Sequence, residues 1–154
     1  MELYQKVEEA LKAAMRQKEE TAKDALRMLL TSLKVKEKEI KRQPVQSEIE
    51  QVIATLVKQR RDSAEQFRGG GREELASKEE NEIRVLEQFL PPQLSGKELE
   101  KLVEEAVAGS GATSVKEMGK VMKLLMPKVS GRADGKVVNE LVRQKLGAAG
   151  QQPG

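Results

Sequence analysis

The sequence predicts an all-α protein, and three features carry that prediction. Apolar residues recur at spacings of three and four, the period of one helix face, in each segment between chain breaks. No run of useful length alternates apolar and polar residues as a half-buried strand does. Proline and glycine clusters interrupt the helical pattern at intervals that suit separate helices. With 154 residues, the chain is also long enough to bury a core of its own.

The first two helices are defined by apolar stripes and by one proline. We expect the first over about residues 2–18. The second is predicted to start after an N-cap at Thr21 and to run to Arg42, because Pro44 cannot continue a helix.

Capping and glycine signals bound the next two helices. Ser47 and Glu50 form a capping-box pattern, in which the serine accepts from a free N–H and the glutamate reaches back, so they predict the start of the third helix. The segment 69–71 is three glycines and predicts its end, and the fourth helix is expected over about 72–89. Residues 1–90 are therefore predicted to form an N-terminal helical bundle or hairpin domain.

A domain boundary is predicted at Pro91 and Pro92, where two prolines stop the helical pattern. The charge shifts at the same place. Residues 1–90 hold 18 basic and 18 acidic residues, whereas residues 91–154 hold 10 basic and 7 acidic ones and supply the whole net charge of +3. We expect a small three-helix module over 91–147 and a flexible tail over 148–154.

The three helices of this module have their own start and stop signals. Two of them open on capping-box patterns, which are Ser95 with Glu98 and Ser114 with Glu117. Pro127 is predicted to close the second of these helices, Asp134 to cap the third, and Gly147 to end it.

The composition excludes much of the chemistry that enzymes use. With no Cys and no His, the chain has no thiolate nucleophile, no imidazole base and no typical zinc or haem site. The glycine-rich phosphate-binding pattern of nucleotide enzymes is also missing, so we expect no metal, no cofactor and no catalytic residues. No apolar run is long enough to span a membrane, and the first 20 residues lack a signal-peptide core, which predicts a cytoplasmic protein.

The basic C-terminal half predicts a contact with nucleic acid. Residues 116–145 hold eight basic and three acidic residues, and a partner with negative charge suits that excess. Lys116, Lys120 and Lys123 share one helix face, and Arg132 lies in a loop whose glycines permit close approach of a ligand. The candidate RNA-binding residues are Lys116, Gly119, Lys120, Lys123, Lys128, Gly131, Arg132, Lys136 and Asn139. A solvated basic face with an ordinary tight turn explains the same residues, and charge alone favours that simpler interpretation.

Three other charged segments are interpreted as solvated helix faces. The segment 58–67 carries ion pairs at helical spacing, and Glu79, Glu80, Glu82 and Glu87 are balanced by nearby cations. The basic stretch 34–42 alternates with Glu37 and Glu39 and is typical of the exposed end of a long helix.

Four segments together resemble the YqeY protein family, and their order and spacing cover nearly the whole chain. They are LRMLLTSLKVKE at 26–37, KQRRDSAEQF at 58–67, KEENEIRVLEQFLPPQLS at 78–95 and MGKVMKLLMPKVSGRADGKVVNELV at 118–142. The last is similar to the tail domain of GatB, a subunit of a glutamine-dependent tRNA amidotransferase. The resemblance implies an all-helical protein whose C-terminal module contacts tRNA. By analogy it also implies a carbon–nitrogen ligase with glutamine as amido donor.

Three hypotheses follow. The leading one is a non-catalytic, tRNA-associated helical protein that assists tRNA-dependent amidation or tRNA metabolism. The second is a protein-interaction module that docks on a partner through its N-terminal helices. The third is amidotransferase activity in the chain itself, for which the residues offer no catalytic site.

Overall fold

The structure is a computed structural model that describes the backbone of residues 1–151 and the side chains of residues 1–147. Within that range it contains seven α-helices, one short 3₁₀-helix and no strand, so the all-α prediction is confirmed. The chain divides into two compact units, of which the first is Met1–Pro91 and the second begins at Pro92.

The first unit is built from four helices around one apolar core. These are α1 (Leu3–Arg16), α2 (Glu20–Ile40), α3 (Gln46–Gly69) and α4 (Glu73–Glu87). The most deeply buried side chains come from all four helices and include Val7, Leu29, Leu33, Ile53 and Leu86. Helix α3 packs along α4, α1 packs along α2, and α2 also contacts α4.

Two predicted helix starts in this unit are wrong. Helix α2 begins at Glu20, so Thr21 lies inside the helix instead of capping it. Helix α3 begins at Gln46 after an extended Val45, so Ser47 lies in its first turn. The reason is that Glu48, not Glu50, reaches back and accepts from the Val45 N–H at 2.9 Å.

The predicted glycine stop of α3 is confirmed. The helix ends at Gly69, and the N–H of Gly70 donates back to the carbonyls of Gln66 and Phe67. Gly71 then has a φ of +76°, a conformation that glycine adopts without a steric penalty and that turns the chain toward α4.

The second unit packs three helices around a separate core. They are α5 (Gly96–Ser110), α6 (Met118–Val129) and α7 (Gly135–Gln151), and a 3₁₀-helix, Val115–Glu117, precedes α6. The fully buried side chains include Val103, Val121, Leu125, Val142 and Leu146. The predicted end at Gly147 is wrong, because α7 continues to Gln151. Residues 148–151 of the predicted tail are therefore helical, and 152–154 lie outside the described residues.

Two predicted caps of this unit are confirmed. The Ser95 hydroxyl accepts from the Glu98 N–H at 3.1 Å, and Glu98 accepts from the Ser95 N–H at the same distance. Asp134 accepts from the Lys136 N–H at 2.9 Å, as an N-cap does.

Two other predictions for this unit are wrong. Ser114 makes no side-chain capping bond, because Glu117 instead accepts from both the N–H and the hydroxyl of Thr113. Pro127 does not close α6 but sits in its last turn. The proline leaves the carbonyl of Lys123 without a backbone donor, and both residues are exposed.

Neither a membrane-spanning helix nor a metal-binding cluster occurs among the described residues. None of the helices in that range is long and apolar enough to cross a bilayer. No group of three acidic, histidine or cysteine side chains gathers there in a way that would hold a metal ion.

Candidate nucleic-acid interface

The outer face of α6 presents lysines to solvent because its opposite face is buried. Val121, Leu125 and Val129 recur every four residues and lie fully or almost fully inside the core of the second unit. Lys120 and Lys123 are three residues apart on the exposed side, and Lys116 precedes them in the 3₁₀-helix. We call Lys116, Lys120, Lys123 and Lys128 the α6 lysines.

One α6 lysine already has a partner. The Lys120 ammonium lies 2.9 Å from a Glu117 carboxylate oxygen. This ion pair, with the two Thr113 donors, lowers the pKa of the Glu117 carboxyl. The pair offsets the charge of Lys120, so the excess positive charge of this face comes from its neighbours.

The other α6 lysines are exposed and have no ion-pair partner among the described residues. Lys116 and Lys123 flank the Glu117–Lys120 pair in sequence. Lys128 lies five positions after Lys123, which turns it by about 140° around the helix axis. The α6 lysines therefore cover a broad surface, wider than the single ridge that the spacing of Lys116, Lys120 and Lys123 predicts.

Gly119 lies on the same exposed side of α6. A Cβ built at this position would meet nothing within 4 Å. The glycine is therefore not needed for packing inside the unit, and its surface leaves the backbone open to a ligand.

The turn between α6 and α7 is fastened to the start of the second unit. Gly131 has a φ of +73°, and its carbonyl accepts from the Gln93 side-chain amide at 2.9 Å. The Arg132 carbonyl accepts from the Leu94 N–H at 2.8 Å, and the Arg132 guanidinium donates through Nε to the Pro92 carbonyl at 3.2 Å. The turn has a structural role at two of the predicted RNA-binding positions, which sequence spacing did not indicate.

The remaining predicted positions lie at the start of α7. Lys136 and Asn139 are both exposed, whereas Val138, Val142 and Leu146 face the core. The Lys136 backbone N–H is held by Asp134, so the lysine is fixed at the N-terminal end of the helix.

Two acidic side chains of α5 form ion pairs with one lysine of α7. The Lys145 ammonium lies 2.9 Å from Glu104 and 3.1 Å from Glu100, and these bonds raise the pKa of the lysine. Two of the acids of the second unit are thus engaged at the α5–α7 contact, whereas three of the α6 lysines are not engaged by any acid that the structure describes.

The first unit contains a buried ion pair that the sequence did not reveal. Arg60 is only 8% exposed, and its side chain faces Glu82 across α3 and α4 with 3.4 Å between Nε and the carboxylate. Its Nη1 donates to the Leu56 carbonyl, but Nε is buried without a hydrogen bond. The interpretation as exposed helix faces is therefore wrong for Arg60 of the segment 58–67 and for Glu82 of the acidic cluster. Their burial depends on the packing of α3 against α4, which the local sequence does not contain.

A cavity of about 550 Å³ opens between α3 and α4, and two of its arginines are paired with acids of α4. Arg68 binds Glu73 at 2.8 Å and also contacts Glu80, and Arg61 binds Glu87 at 2.7 Å. An anion entering here would have to displace these carboxylates. The cavity is thus less suited to an anion than the α6 lysines are.

Two relatives that are similar to this chain share a name. The chain is 29% identical over 141 residues to altered inheritance of mitochondria protein 41, mitochondrial, of Pyrenophora tritici-repentis, covering 90% of this chain and 77% of that protein. The protein of that name from Eremothecium gossypii is 34% identical over 92 residues, 58% of this chain and 50% of its own length. Both names carry the word mitochondrial, whereas the sequence predicts a cytoplasmic location for this chain.

A third relative is a glutamyl-tRNA(Gln) amidotransferase subunit of Thermococcus sibiricus. It is 41% identical over 73 residues, which are 44% of this chain but only 11% of that subunit. The model of the family described as Yqey-like protein matches residues 4–146. Since that match spans both units, it confirms the predicted resemblance and shows that this chain belongs to the Yqey-like protein family.

Proposed function

We propose that this protein is a non-catalytic accessory factor that binds tRNA through the basic surface of its second unit. One observation carries the proposal. Lys116, Lys123 and Lys128 are exposed and have no ion-pair partner in the part of the chain that the structure describes. Cations of this kind are available to phosphates without first breaking a bond inside the protein.

The acids within the same segment form no ion pair with Lys116, Lys123 or Lys128 in the described part of the chain. Glu117 is taken by Lys120 and Thr113, Asp134 caps α7, and Glu140 accepts from the Gln144 amide at 3.3 Å. Helix α6 contains no acidic residue of its own, so no acid of that helix offsets Lys123 and Lys128.

The chemistry of the surface favours phosphates over bases. Residues 92–154 contain no Phe, Tyr or Trp, so the second unit has no side chain on which a base can stack. Lysines bind phosphates as point charges. A set of lysines on one surface therefore recognises a folded RNA by the positions of its phosphates and not by its bases. We expect binding that varies little with the tRNA sequence and weakens steeply with salt.

The amidotransferase relative supports tRNA as the RNA. Its name identifies it as part of an enzyme that acts on glutamyl-tRNA(Gln), and it is 41% identical to this chain over 73 residues. Because the match covers only 11% of that protein, we propose for this chain a contact with RNA and not the catalytic activity of the enzyme. The role we propose is assistance to tRNA-dependent amidation or to another step of tRNA metabolism.

A salt series with paired variants tests this proposal. The full chain is titrated with total tRNA at several salt concentrations, together with the triple variant Lys116→Ala/Lys123→Ala/Lys128→Ala. The matched control is Lys6→Ala/Lys97→Ala/Lys101→Ala, which removes three exposed lysines from α1 and α5. Circular dichroism melts verify that both variants fold.

The proposal predicts that the α6 variant binds tRNA more than tenfold more weakly than the wild type at low salt. Its log–log salt slope should become shallower by about one for each phosphate that the variant no longer neutralises. The control should match the wild-type slope to within about one. Equal losses in the two variants, or no tRNA binding by the wild-type chain at low salt, would contradict the proposal.

A further inference from the structure

The basic stretch at the end of α2 is divided by the helix into two surfaces. In sequence, Glu37 and Glu39 are interspersed among the five basic residues of 34–42. In the structure, Lys36 and Glu39 line the groove between α2 and α3 together with Val35 and Val52. A different cleft is lined by Lys34, Glu37, Lys38, Lys41, Arg42 and Gln43, and we call it the α2 basic cleft. The fold therefore brings four of these basic residues together on one surface, although acids separate them in the sequence.

Neither Glu37 nor Glu48, the two acids near the α2 basic cleft, is ion-paired with one of its lysines in the described part of the chain. Glu37, the one acidic side chain that lines it, accepts from the Tyr4 hydroxyl at 3.2 Å. Glu48 binds Arg42 through two bonds of 2.7 and 3.0 Å. Lys34, Lys38 and Lys41 are exposed, and none of them has an ion-pair partner within the described range.

The lysines of the cleft follow one another along the last turns of α2. Lys34 and Lys38 are one helical turn apart, about 6 Å along the axis. Lys41 follows at the end of α2 in a left-handed conformation, with a φ of +59°. The cleft has a volume of about 510 Å³ and none of its lining side chains is apolar.

We propose that the α2 basic cleft is a second contact for RNA phosphates, separate in sequence from the α6 lysines. This inference rests on the proposed function, because it assumes that the protein's partner is a folded RNA. Charge complementarity identifies the occupant. A stable protein interface needs apolar side chains at its centre, and a membrane-bound amphipathic helix needs an apolar face. Every residue that lines this cleft is instead charged or an amide, and four of the six are basic.

The full chain is used for the test. The variant Lys34→Ala/Lys38→Ala removes two cations of the cleft and keeps strong helix formers in α2. The matched control is Lys36→Ala/Lys78→Ala, which removes one lysine from the other groove of α2 and an exposed lysine from α4. Both are titrated with total tRNA across the salt series, beside the α6 triple variant and vesicles that contain phosphatidylserine.

The inference predicts that the cleft variant binds tRNA about tenfold more weakly than the control at about 50 mM salt. Its salt slope should be shallower by about one to two, at about one for each phosphate contact. If it binds like the control while the α6 variant is impaired, the second contact is refuted and the proposed function stands.

The opposite result would support the second contact and contradict the proposed α6 interface. If the cleft variant is impaired and the α6 variant is not, the second contact stands and the proposed α6 interface fails. Tighter wild-type binding to the vesicles than to tRNA, abolished in the cleft variant, would overturn RNA as the occupant.

Discussion

The Arg132 guanidinium donates through Nε to the carbonyl oxygen of Pro92, 3.2 Å away and forty positions earlier in the chain. The same turn also receives the Gln93 amide and the Leu94 N–H. Residues 92–94 are thus tied to the turn between α6 and α7. Arg132 was predicted to bind a phosphate because of its residue type. In the structure its guanidinium instead donates to a backbone carbonyl of the same unit.

This contact predicts a stability effect for Arg132→Ala. The substitution removes a charge-assisted bond at a half-exposed site, and the free energy of unfolding of the second unit should fall by about 1 kcal/mol. Urea denaturation of the full chain, followed by NMR signals of the second unit, measures this. The control is Lys128→Ala, an exposed lysine nearby, which should leave the midpoint unchanged. Equal midpoints for Arg132→Ala and the control would refute the structural role.

Two serines with the same sequence pattern should behave differently. Ser95 accepts from the Glu98 N–H, whereas the Ser114 side chain makes no capping bond. Ser95→Ala should therefore lower the free energy of unfolding by about 1 kcal/mol, and Ser114→Ala should change it by less than about 0.5 kcal/mol. Chemical denaturation of the two variants side by side checks this. A larger loss for Ser114→Ala would mean that the helix starts are misassigned.

The buried Arg60–Glu82 pair predicts non-additive substitutions. Arg60→Ala leaves the Glu82 carboxylate, whose side chain is only 12% exposed, without its cation. The expected loss is about 3 kcal/mol, because a buried charge is left uncompensated. The double variant Arg60→Met/Glu82→Leu should recover most of that loss, since both charges are replaced by apolar side chains.

A double-mutant cycle by urea denaturation provides the measurement for this pair. Losses from Arg60→Met and Glu82→Leu that simply add in the double variant would show that the two side chains do not interact.

The Arg42–Glu48 pair predicts a pH dependence. Bonds from Arg42, and then from the Val45 N–H, lower the pKa of the Glu48 carboxyl from its ordinary value of 4.5 to about 2. Because the folded pKa is the lower one, the pair stabilises the fold above pH 4.5, and the stabilisation disappears as the pH falls toward 2.

Thermal melts of the wild type and Glu48→Gln between about pH 2 and 6 check this dependence. The Tm difference should be constant above about pH 5 and shrink between about 4.5 and 2. A difference that does not change with pH would show that the Glu48 charge plays no part.

The sequence predicted a helix start or end correctly where a single contact between neighbouring residues determines it. The glycines at 69–71 and the caps at Ser95 and Asp134 act within a few residues, so the sequence alone was sufficient. The pattern at Ser47 failed because Arg42, outside the pattern, holds Glu48 in the position from which it reaches Val45. Pro127 was tolerated because it falls in the last exposed turn of α6.

The charged surfaces were harder to predict because helices mix neighbouring residues onto different faces. The burial of Arg60 depends on Glu82, which belongs to the next helix, and periodicity carries no information about that packing. Similarly, the alternation at 34–42 separates into two surfaces only when α3 is placed beside α2. Spacing places Lys116, Lys120 and Lys123 on one face, and Lys128 enters only through the charge excess of 116–145. The Glu117–Lys120 pair among them follows from side-chain geometry.

An NMR titration of the isotope-labelled full chain with tRNA at low salt shows directly whether the α6 lysines bind tRNA. If the α6 lysines bind tRNA, amide signals of residues 115–128 should shift or broaden first, and added salt should restore them. Signals of α5, where Lys145 holds Glu100 and Glu104, should change least in the second unit. Perturbation confined to α5, or no perturbation anywhere in the chain, would contradict the claim that the α6 lysines bind tRNA.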